Sequence, residues 1–354
     1  MQRLIAERPG RLAIVAGRND IKMDLIARLH AEGFCVLGDK PWIIRSDQLE
    51  ALRTTASTPP LAMDIMTERR EVAVRLQHAL IRNEDVFGAF DVEGDAPAVS
   101  LQSVHFLYKL VNGRPLVRPA WYFDTRVQGE GMTDVNTHLV DLAQWFIGDE
   151  RPFDYERDIQ LISAVQWPTE VPLELFRQIT GLADFPDPLR ADVVNDRLRY
   201  LCNARLSCRM RGVPVRAEAL WGLTIPEGGG DTHEIAARGT RATIVVRLDQ
   251  TTRFRTQLTV HPAIPDARFG DRLAKALESF QDRFPGVSAE AVGDAFCITI
   301  PDALRTTHEE HFAVVLDAFI GYADSGQWPA NLGPDLIAKY TLLERAREMA
   351  NPDR

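Results

Sequence analysis

The sequence contains few cysteines, and none of them are paired at the spacing of a metal site or a redox motif. Its four cysteines, Cys35, Cys202, Cys208 and Cys297, are far apart, and no Cys-x-x-Cys occurs. This pattern argues against zinc-ribbon and thioredoxin-like chemistry. Scattered cysteines in apolar surroundings are typical of buried, reduced thiols, so we expect a cytoplasmic protein.

The chain also lacks long apolar runs and an excess of basic residues. No run approaches the length of a membrane-spanning helix, and the first residues mix Arg, Glu and Pro with apolar residues, unlike a signal peptide. The 50 acidic residues outnumber the 41 Lys and Arg, which gives a net charge of -9. A protein that binds nucleic-acid phosphates needs more Lys and Arg than Asp and Glu. We therefore expect small molecules or other proteins as partners, with no nucleic acid and no membrane.

The first part of the chain alternates short apolar runs with a helical pattern. Residues 12–16 form an apolar run that ends at a glycine, residues 21–32 carry apolar side chains at helical spacing, and residues 34–37 are again apolar. Strand, helix and strand in this order make a parallel crossover unit, in which ligands bind at the carboxyl ends of the strands. The segments 17–20 and 38–41 are therefore candidate binding segments.

The following residues continue this pattern. Asp47 and Glu50 predict a capping box, residues 61–66 predict another strand, and Thr67 is the expected cap of a helix that runs to Ile81. A complete nucleotide-binding sheet begins with a strand and a Gly-x-Gly-x-x-Gly turn, but this sequence has no such turn near its start. We therefore expect this sequence to begin within a nucleotide-binding domain, after its first strand and glycine-rich turn.

The remaining sequence has a different character. Between about residues 100 and 301 many β-rich runs are separated by turn signals, and alternation such as Ala242, Ile244 and Val246 predicts antiparallel strands with one buried face. Two amphipathic helices, 309–322 and 336–349, close the chain. The predicted fold class is α/β: a partial, N-terminally truncated Rossmann-type parallel sheet in residues 1–66, followed in residues 67–354 by an α+β domain with a large, mostly antiparallel sheet. The final helices are expected to pack back on the first domain.

The pattern of residues 129–148 predicts a helix that carries candidate catalytic side chains. One stripe is apolar, and a neighbouring stripe at the same spacing holds Asp134, His138, Asp141 and Trp145. An imidazole between carboxylates is suited to proton transfer near neutral pH, so we expect both carboxylates close to His138. The alternative is that Asp134 and His138 form an ordinary pair on a solvated helix face. Lys40, before a proline, also has an alternative role as a surface turn residue.

Taken together, these residues resemble the glucose-fructose oxidoreductase/inositol dehydrogenase family. The Glu-Lys-Pro motif of the family looks like Asp39-Lys40-Pro41, and its Asp-x-x-x-His pattern is met by Asp134 and His138. The family's threonine-proline turn falls on residues 17–19, where only Asn19 matches. A poorly characterised branch is more similar still, because it shares the strings at 64–69 and 114–121.

This resemblance implies an NAD- or NADP-dependent oxidoreductase that moves a hydride between the cofactor and a secondary alcohol of a sugar, polyol or glycoside. Lys40 would touch the cofactor ribose and the substrate hydroxyl, His138 would exchange the proton, and Asp134 would bind the substrate or orient the histidine. The residues implied to bind the cofactor are Gly17, Asn19, Asp39, Lys40 and Pro41. The candidate substrate-binding residues are Glu68, Arg69, Trp121 and Asp141.

Several alternatives are compatible with the sequence. The chain could be a catalytically inactive or regulatory sugar-binding protein, or a glycoside hydrolase that uses a tightly bound NAD. The resemblance also implies a homo-oligomer joined through the open face of the large sheet. His308 and His311 share one helical face, but the spacing is not that of a zinc protease and no third ligand is evident, so we expect no metal site.

Overall fold

The computed structural model describes residues 2–94, 96–111 and 113–351. The first part of the chain forms a three-stranded parallel sheet in the order β1-β2-β3. Its strands are β1 (Leu12–Val15), β2 (Cys35–Gly38) and β3 (Met63–Asp64), and its helices are α1 (Gln2–Glu7), α2 (Lys22–Ala31) and α3 (Leu49–Ser57). Because the strands are parallel, the segments that follow β1 and β2 meet at one edge of the sheet.

Two predicted helix starts are wrong. Asp47 and Glu50 form no capping box, because α3 begins after a 3₁₀ turn, Ser46–Gln48, and has no side-chain cap. Thr67 does not cap α4 (Val72–Ile81), since a second 3₁₀ turn over Glu68–Arg70 delays the helix. The carboxylate of Glu71 caps it instead by accepting hydrogen bonds from two backbone N–H groups, and its negative charge suits a helix N-terminus.

A second sheet of ten strands dominates the rest of the chain. β4 and β10 pair in parallel and every other described pair is antiparallel, which confirms the predicted α/β class with its large, mostly antiparallel sheet. The strand order is β14-β15-β13-β12-β11-β4-β10-β9-β7, with β8 beside β9. The strands are β4 (Val99–Tyr108), β7 (Ile159–Pro172), β8 (Val193–Val194), β9 (Arg197–Met210), β10 (Val213–Thr224), β11 (Thr232–Arg238), β12 (Ala242–Leu248), β13 (Gln257–Pro262), β14 (Ser288–Val292) and β15 (Ala295–Thr299).

Side-chain alternation sets the faces of this sheet. Ala242, Ile244 and Val246 on β12 are buried, as the alternation predicts, while the residues between them are only partly buried. The short strands β5 (Leu110–Val111) and β6 (Arg114–Pro115) form a separate hairpin. The helices of this part are α5 (Thr125–Gln128), α6 (Asn136–Gly148), α7 (Tyr155–Asp158), α8 (Leu173–Thr180), α9 (Phe269–Glu278), α10 (His308–Ser325) and α11 (Leu332–Ala350). The sequence analysis did not predict α8 and α9.

The helix α6 starts later than predicted. Residues 131–135 form turns, and α6 begins only at Asn136. A Cβ atom at Gly131 would lie 2.3 Å from the carbonyl oxygen of Cys202, so this loop touches the backbone of β9. Asp134 therefore stands on a tight loop before the helix rather than within it, and this loop packs against the large sheet.

The last helix, α11, joins the two sheets. Its Tyr340 hydroxyl accepts a hydrogen bond from the backbone N–H of Trp42 and donates one to Asp64 at the end of β3. Near its start, Gly333 lies directly on α3, where an added Cβ would be 2.0 Å from the carbonyl oxygen of Ala56. The final helix thus packs back on the first part of the chain. None of the described helices is long and apolar enough to span a membrane.

Gly333→Ala should lower the free energy of unfolding by about 1–3 kcal/mol, because the methyl group would collide with a backbone atom that cannot rotate away. Gly321→Ala in α10 is the matched control, since no atom lies within 4 Å of its added methyl. That change should raise the free energy of unfolding by about 0.5–1 kcal/mol. Denaturant unfolding measures both, and equal effects of the two variants would contradict the contact between α11 and α3.

Candidate active site

A cavity of about 370 Å³ opens where the carboxyl edge of the small sheet meets the large sheet. The turn after β1 contributes Gly17 and Asn19, and the segment after β2 contributes Asp39 and Lys40. The other walls come from β4 and the residue after it, β10, the segment between β6 and α5, the end of α5, and the loop before α6. They supply His105, Lys109, Leu116, Arg118, Trp121, Tyr122, Gln128, Asp134, Val135 and Trp221. The two segments chosen from the strand ends thus lie side by side in one cavity.

Lys40 and Asp134 form the central contact of this cavity. The Lys40 Nζ atom lies 2.6 Å from Asp134 Oδ1, and the two side chains are only 19% and 8% exposed. Burial opposes the charged lysine, but Asp134, Asp39 and Glu68 outweigh it and raise the pKa of Lys40. Burial also opposes the charged carboxylate, yet Lys40 lowers the pKa of Asp134. Both groups are therefore ionised at neutral pH, and the alternative of Lys40 as a surface turn residue is wrong.

His138 does not pair with Asp134. Its Nδ1 atom lies 2.6 Å from Glu68 Oε2, within ion-pair distance although outside the angle of a hydrogen bond, and its side chain is 16% exposed. Burial alone would raise the pKa of Glu68, but the nearby His138 lowers it to about 2. The alternative of an Asp134–His138 pair on a solvated helix face is therefore wrong, since each of the two pairs with a partly buried residue elsewhere. Among the described residues that line the cavity, His138 does not appear.

The turn after β1 is built around Asn19, which is buried. Its side chain donates a hydrogen bond to the carbonyl of Gln128 at 2.6 Å and accepts one from Lys22 Nζ at 2.6 Å. Lys22 is fully buried, and burial lowers its pKa to about 8, although Asp39 opposes this shift. The sequence analysis missed Lys22; its only signal was its place three residues after Asn19, at the start of the helix. The network fixes this turn against the end of α5.

The turn leaves room for a ligand. Gly17 has a φ of +106°, which favours glycine, and apart from its chain neighbours no atom of the described residues lies within 4 Å of the position that a Cβ would take. Asp39 accepts a hydrogen bond from the backbone N–H of Lys40, and Pro41 follows through a cis peptide bond. Four residues thus meet at the carboxyl edge of the parallel strands: Gly17, the amide side chain of Asn19, and the charged side chains of Asp39 and Lys40. This combination fits the nicotinamide end of a dinucleotide. The residues present are therefore compatible with the cofactor that the resemblance implied.

The wall formed by β4 carries a cluster of polar side chains around Asp231 that was not predicted from the sequence. His105 Nδ1 lies 3.1 Å from Asp231 Oδ2, and its Nε2 is 2.8 Å from the hydroxyl of Ser103. Lys109 also contacts Asp231. Burial would raise the pKa of Asp231, but His105 and Lys109 lower it to about 2. The period-two spacing of Ser103 and His105 on a strand was the available signal, but it does not identify Asp231 as their partner.

Aromatic rings line the same side of the cavity. Trp121 lies in the wall as one of the predicted substrate-binding residues, and Tyr122 and Trp221 stand beside it with ring centroids 6.3 Å apart. The ring of His105 lies 5.0 Å from that of Trp221. Flat apolar faces with polar groups between them suit a sugar, whose C–H faces pack on rings while its hydroxyls hydrogen-bond.

The structure places Arg69 and Asp141 in a different environment from the one predicted. Arg69 binds the Asp141 carboxylate at 2.5 and 2.7 Å, and the buried Lys339 lies 3.0 Å from Asp141 and 2.8 Å from Asp64. This cluster lines a separate cavity of about 470 Å³ that contains neither Lys40 nor Asp134. The expectation that Asp141 would pair with His138 is wrong, because the helix turns its carboxylate toward Arg69 and Lys339. Glu68 contacts His138 and is not among the described residues that line the first cavity.

The two histidines near the start of α10 have structural partners. His311 Nε2 lies 2.8 Å from the hydroxyl of Thr306, and the ring of His308 meets the ring of Phe312 edge-on, with 5.1 Å between the centroids. Over residues 2–94, 96–111 and 113–351, no group of three or more His, Cys, Asp or Glu side chains could hold a metal ion.

Asp134→Asn should lower the pKa of Lys40, because burial then favours the neutral amine without the carboxylate that opposes it. NMR titration of labelled lysine side chains measures this pKa directly. Asp47→Asn serves as the control, since Asp47 is exposed and pairs with Arg45. An unchanged pKa of Lys40 in Asp134→Asn would contradict the ion pair.

Comparison with known proteins places this site in a family. Residues 76–351 match the family model described as "Putative oxidoreductase C terminal domain". A crystal structure of a putative oxidoreductase from Parabacteroides merdae is 36% identical, with a TM-score of 0.96 over 100% of this chain and 82% of that chain. No curated protein matches.

More distant structures share the fold alone. Levoglucosan dehydrogenase, solved in complex with NADH and levoglucosan, is 15% identical with a TM-score of 0.64 over 99% of this chain and 80% of that chain. An oxidoreductase from Agrobacterium radiobacter in complex with NAD⁺, L-tartaric acid and magnesium is 14% identical, with a TM-score of 0.60 over 100% and 81%. The chain belongs to the oxidoreductase family that this C-terminal domain defines.

Proposed function

We propose that the protein is an NAD- or NADP-dependent dehydrogenase that acts on a secondary alcohol of a sugar, polyol or glycoside. The observation that carries this proposal is the buried Lys40–Asp134 ion pair, which stands between the carboxyl edge of the parallel sheet and an aromatic wall. The fold is shared with levoglucosan dehydrogenase, which was solved with NADH and its sugar. Both arguments point to hydride transfer from a carbon that bears a hydroxyl group.

The residues at the carboxyl edge would hold the cofactor. Gly17 gives the ligand access to the backbone, Asn19 fixes the turn, and Asp39, Lys40 and Pro41 form the facing segment. The nicotinamide, when bound, supplies the hydride acceptor. The protein's own contribution is to orient the substrate, hold the charge that develops on its oxygen and take up its proton.

Lys40 would stabilise the substrate oxygen. The raised pKa keeps the amine protonated at neutral pH, so Lys40 can donate a hydrogen bond to the hydroxyl and stabilise the negative charge that grows on it. Asp134 holds this lysine in its charged state through one carboxylate oxygen. Its second oxygen can accept a hydrogen bond from another hydroxyl of the substrate. In this role Asp134 both positions Lys40 and binds the substrate.

His138 would accept the proton. Its Nδ1 faces Glu68, and its Nε2 would take the proton by way of a water molecule, because His138 is not among the described residues that line the cavity. Because the pKa of Glu68 is about 2, the carboxylate stays ionised and stabilises the imidazolium that forms. Glu68 then acts as a positioning residue, where the sequence analysis had suggested substrate binding. Asp141 and Arg69 hold α6 in place, and Trp121 remains our candidate for stacking on the sugar.

We also propose a cytoplasmic homo-oligomer. Cys35, Cys202 and Cys208 are buried free thiols, as is typical of a reducing compartment. Ile162 and Val165 on the edge strand β7 are about half exposed, and apolar side chains at such a position support contact with a second copy.

Lys40→Met and His138→Gln should each reduce turnover by about 10²–10⁴-fold, because one removes the charge that faces the substrate oxygen and the other the proton acceptor. Formation of reduced cofactor over a panel of sugars and polyols measures turnover. His138→Gln should still bind NAD(H), as followed by nicotinamide fluorescence. Lys275→Met and His261→Gln are matched controls, since both residues are exposed.

The outcomes separate the competing functions. Full turnover in Lys40→Met or His138→Gln would overturn the assigned roles. Sugar binding by the wild-type protein without cofactor binding would identify a sugar-binding protein. Cleavage of a glycoside with no net reduction of the cofactor would identify a hydrolase.

A further inference from the structure

Arg118 is held rigidly in the wall of the cavity. Its Nε donates a hydrogen bond to the carbonyl of Leu107 at 3.2 Å, and its Nη2 donates to the carbonyl of Phe106 at 3.4 Å. The guanidinium lies over the rings of Tyr122 and Trp221, at 4.4 and 5.5 Å from their centroids. Backbone and ring contacts together fix the plane of the guanidinium before any ligand arrives.

The positive charge of Arg118 is not balanced by the protein. No carboxylate lies within 4.0 Å of Arg118 in the part of the chain that the structure describes. On the same wall His105 and Lys109 share the single carboxylate of Asp231, and the charge of Lys40 is matched by Asp134. Asp39 also lines the cavity, but it belongs to the segment after β2. The wall that carries Arg118 and Lys109 therefore keeps an excess positive charge, which is costly to keep half-buried.

Several other half-buried arginines of the chain are neutralised by a carboxylate. Arg69 pairs with Asp141, Arg211 with Asp158 and Arg238 with Asp91. Arg118 differs from them in facing a cavity instead of a carboxylate. Its Nη1 group also has no hydrogen-bond acceptor among the described residues. A negatively charged group of a bound ligand is thus the best candidate to pair with the guanidinium of Arg118.

We propose that the substrate carries an anionic group, a carboxylate or a phosphate, and that Arg118 binds this group while Lys40 and Asp134 hold the hydroxyl to be oxidised. This inference rests on the proposed dehydrogenase function and narrows its substrate class to acidic sugars or polyols. A guanidinium suits the task because its planar fork can bind two oxygens of one anion. The cavity of about 370 Å³ is of the size that takes a small ligand.

Matched ligands test the inference. Glucose, galactose and myo-inositol are titrated as neutral compounds, beside glucuronate, galacturonate, gluconate and the corresponding phosphates, by calorimetry with and without NAD⁺. We expect at least one anionic compound to bind about tenfold or more tightly than its neutral counterpart, as a charge-assisted contact predicts. The carboxylate and phosphate arms identify which anion is recognised. Equal or tighter binding of the neutral compounds, or no binding by any ligand, would overturn the inference.

Variants separate recognition from a purely structural role. In Arg118→Gln the ratio of anionic to neutral affinity should fall about tenfold or more, and Arg118→Lys should restore part of it because the charge remains. Arg114→Gln is the control, since this arginine lies four residues earlier and is exposed. If Arg118 only braces the wall, all ligands weaken together and the ratio is unchanged, which overturns the inference.

The two proposals fail in different ways. Anion binding that depends on Arg118 without any formation of reduced cofactor would sustain this inference and sink the dehydrogenase function. Oxidation of neutral sugars with no preference for anions would sustain the dehydrogenase function and overturn this inference.

Discussion

The ion pair between Lys40 and Asp134 is the contact on which the active site depends. One partner follows a strand of the small parallel sheet and the other stands on a loop pressed against the large sheet, so the pair joins the parts that would hold the cofactor and the substrate. Taking two charges out of water is costly, and a buried pair alone is poor evidence of stabilisation. Its value here is chemical: the carboxylate keeps a desolvated lysine charged, facing the space where an alcohol would lose its proton.

A second buried charge cluster has a different purpose. Lys339 on α11 lies between Asp64 at the end of β3 and Asp141 on α6, and Arg69 closes the cluster. Three elements distant in sequence are thereby fixed relative to one another. Asp64 and Lys40 belong to the part of the chain that contains the small sheet, while Asp141 and Asp134 belong to α6 and the loop before it. The cluster therefore fixes the relative position of the two parts of the fold that meet in the Lys40–Asp134 pair.

Local patterns predicted one half of the site. The apolar runs before Gly17 and Asp39 were short enough to be parallel strands, and parallel strands bring the residues after them to one edge. Helical spacing predicted Asp134 and His138 as neighbours on one helix, but Asp134 lies on the loop before α6, and the two side chains meet different partners, Lys40 and Glu68. The same spacing misled for Asp141, since periodicity fixes the direction of a side chain on its helix but not the partner it meets; Arg69 and Lys339 come from elsewhere.

The other half of the site depends on strand order, which no local pattern encodes. His105, Lys109 and Arg118 reach the cavity because β4 lies in parallel beside β10, more than a hundred residues away, and because Asp231 precedes β11, the other neighbour of β4. The helix caps failed for a smaller reason: 3₁₀ turns moved the starts of α3 and α4 by a few residues, and such turns carry little sequence signal.

Deuteride transfer tests the central claim most directly. The purified protein is incubated with NAD⁺ and a pool of acidic and neutral sugars and polyols that carry deuterium on their hydroxyl-bearing carbons, and the cofactor is then examined by NMR. The account predicts deuterium on the nicotinamide ring carbon that accepts hydride, with the label lost when Lys40 is replaced by methionine. A cofactor that stays oxidised and unlabelled with every compound would contradict the account.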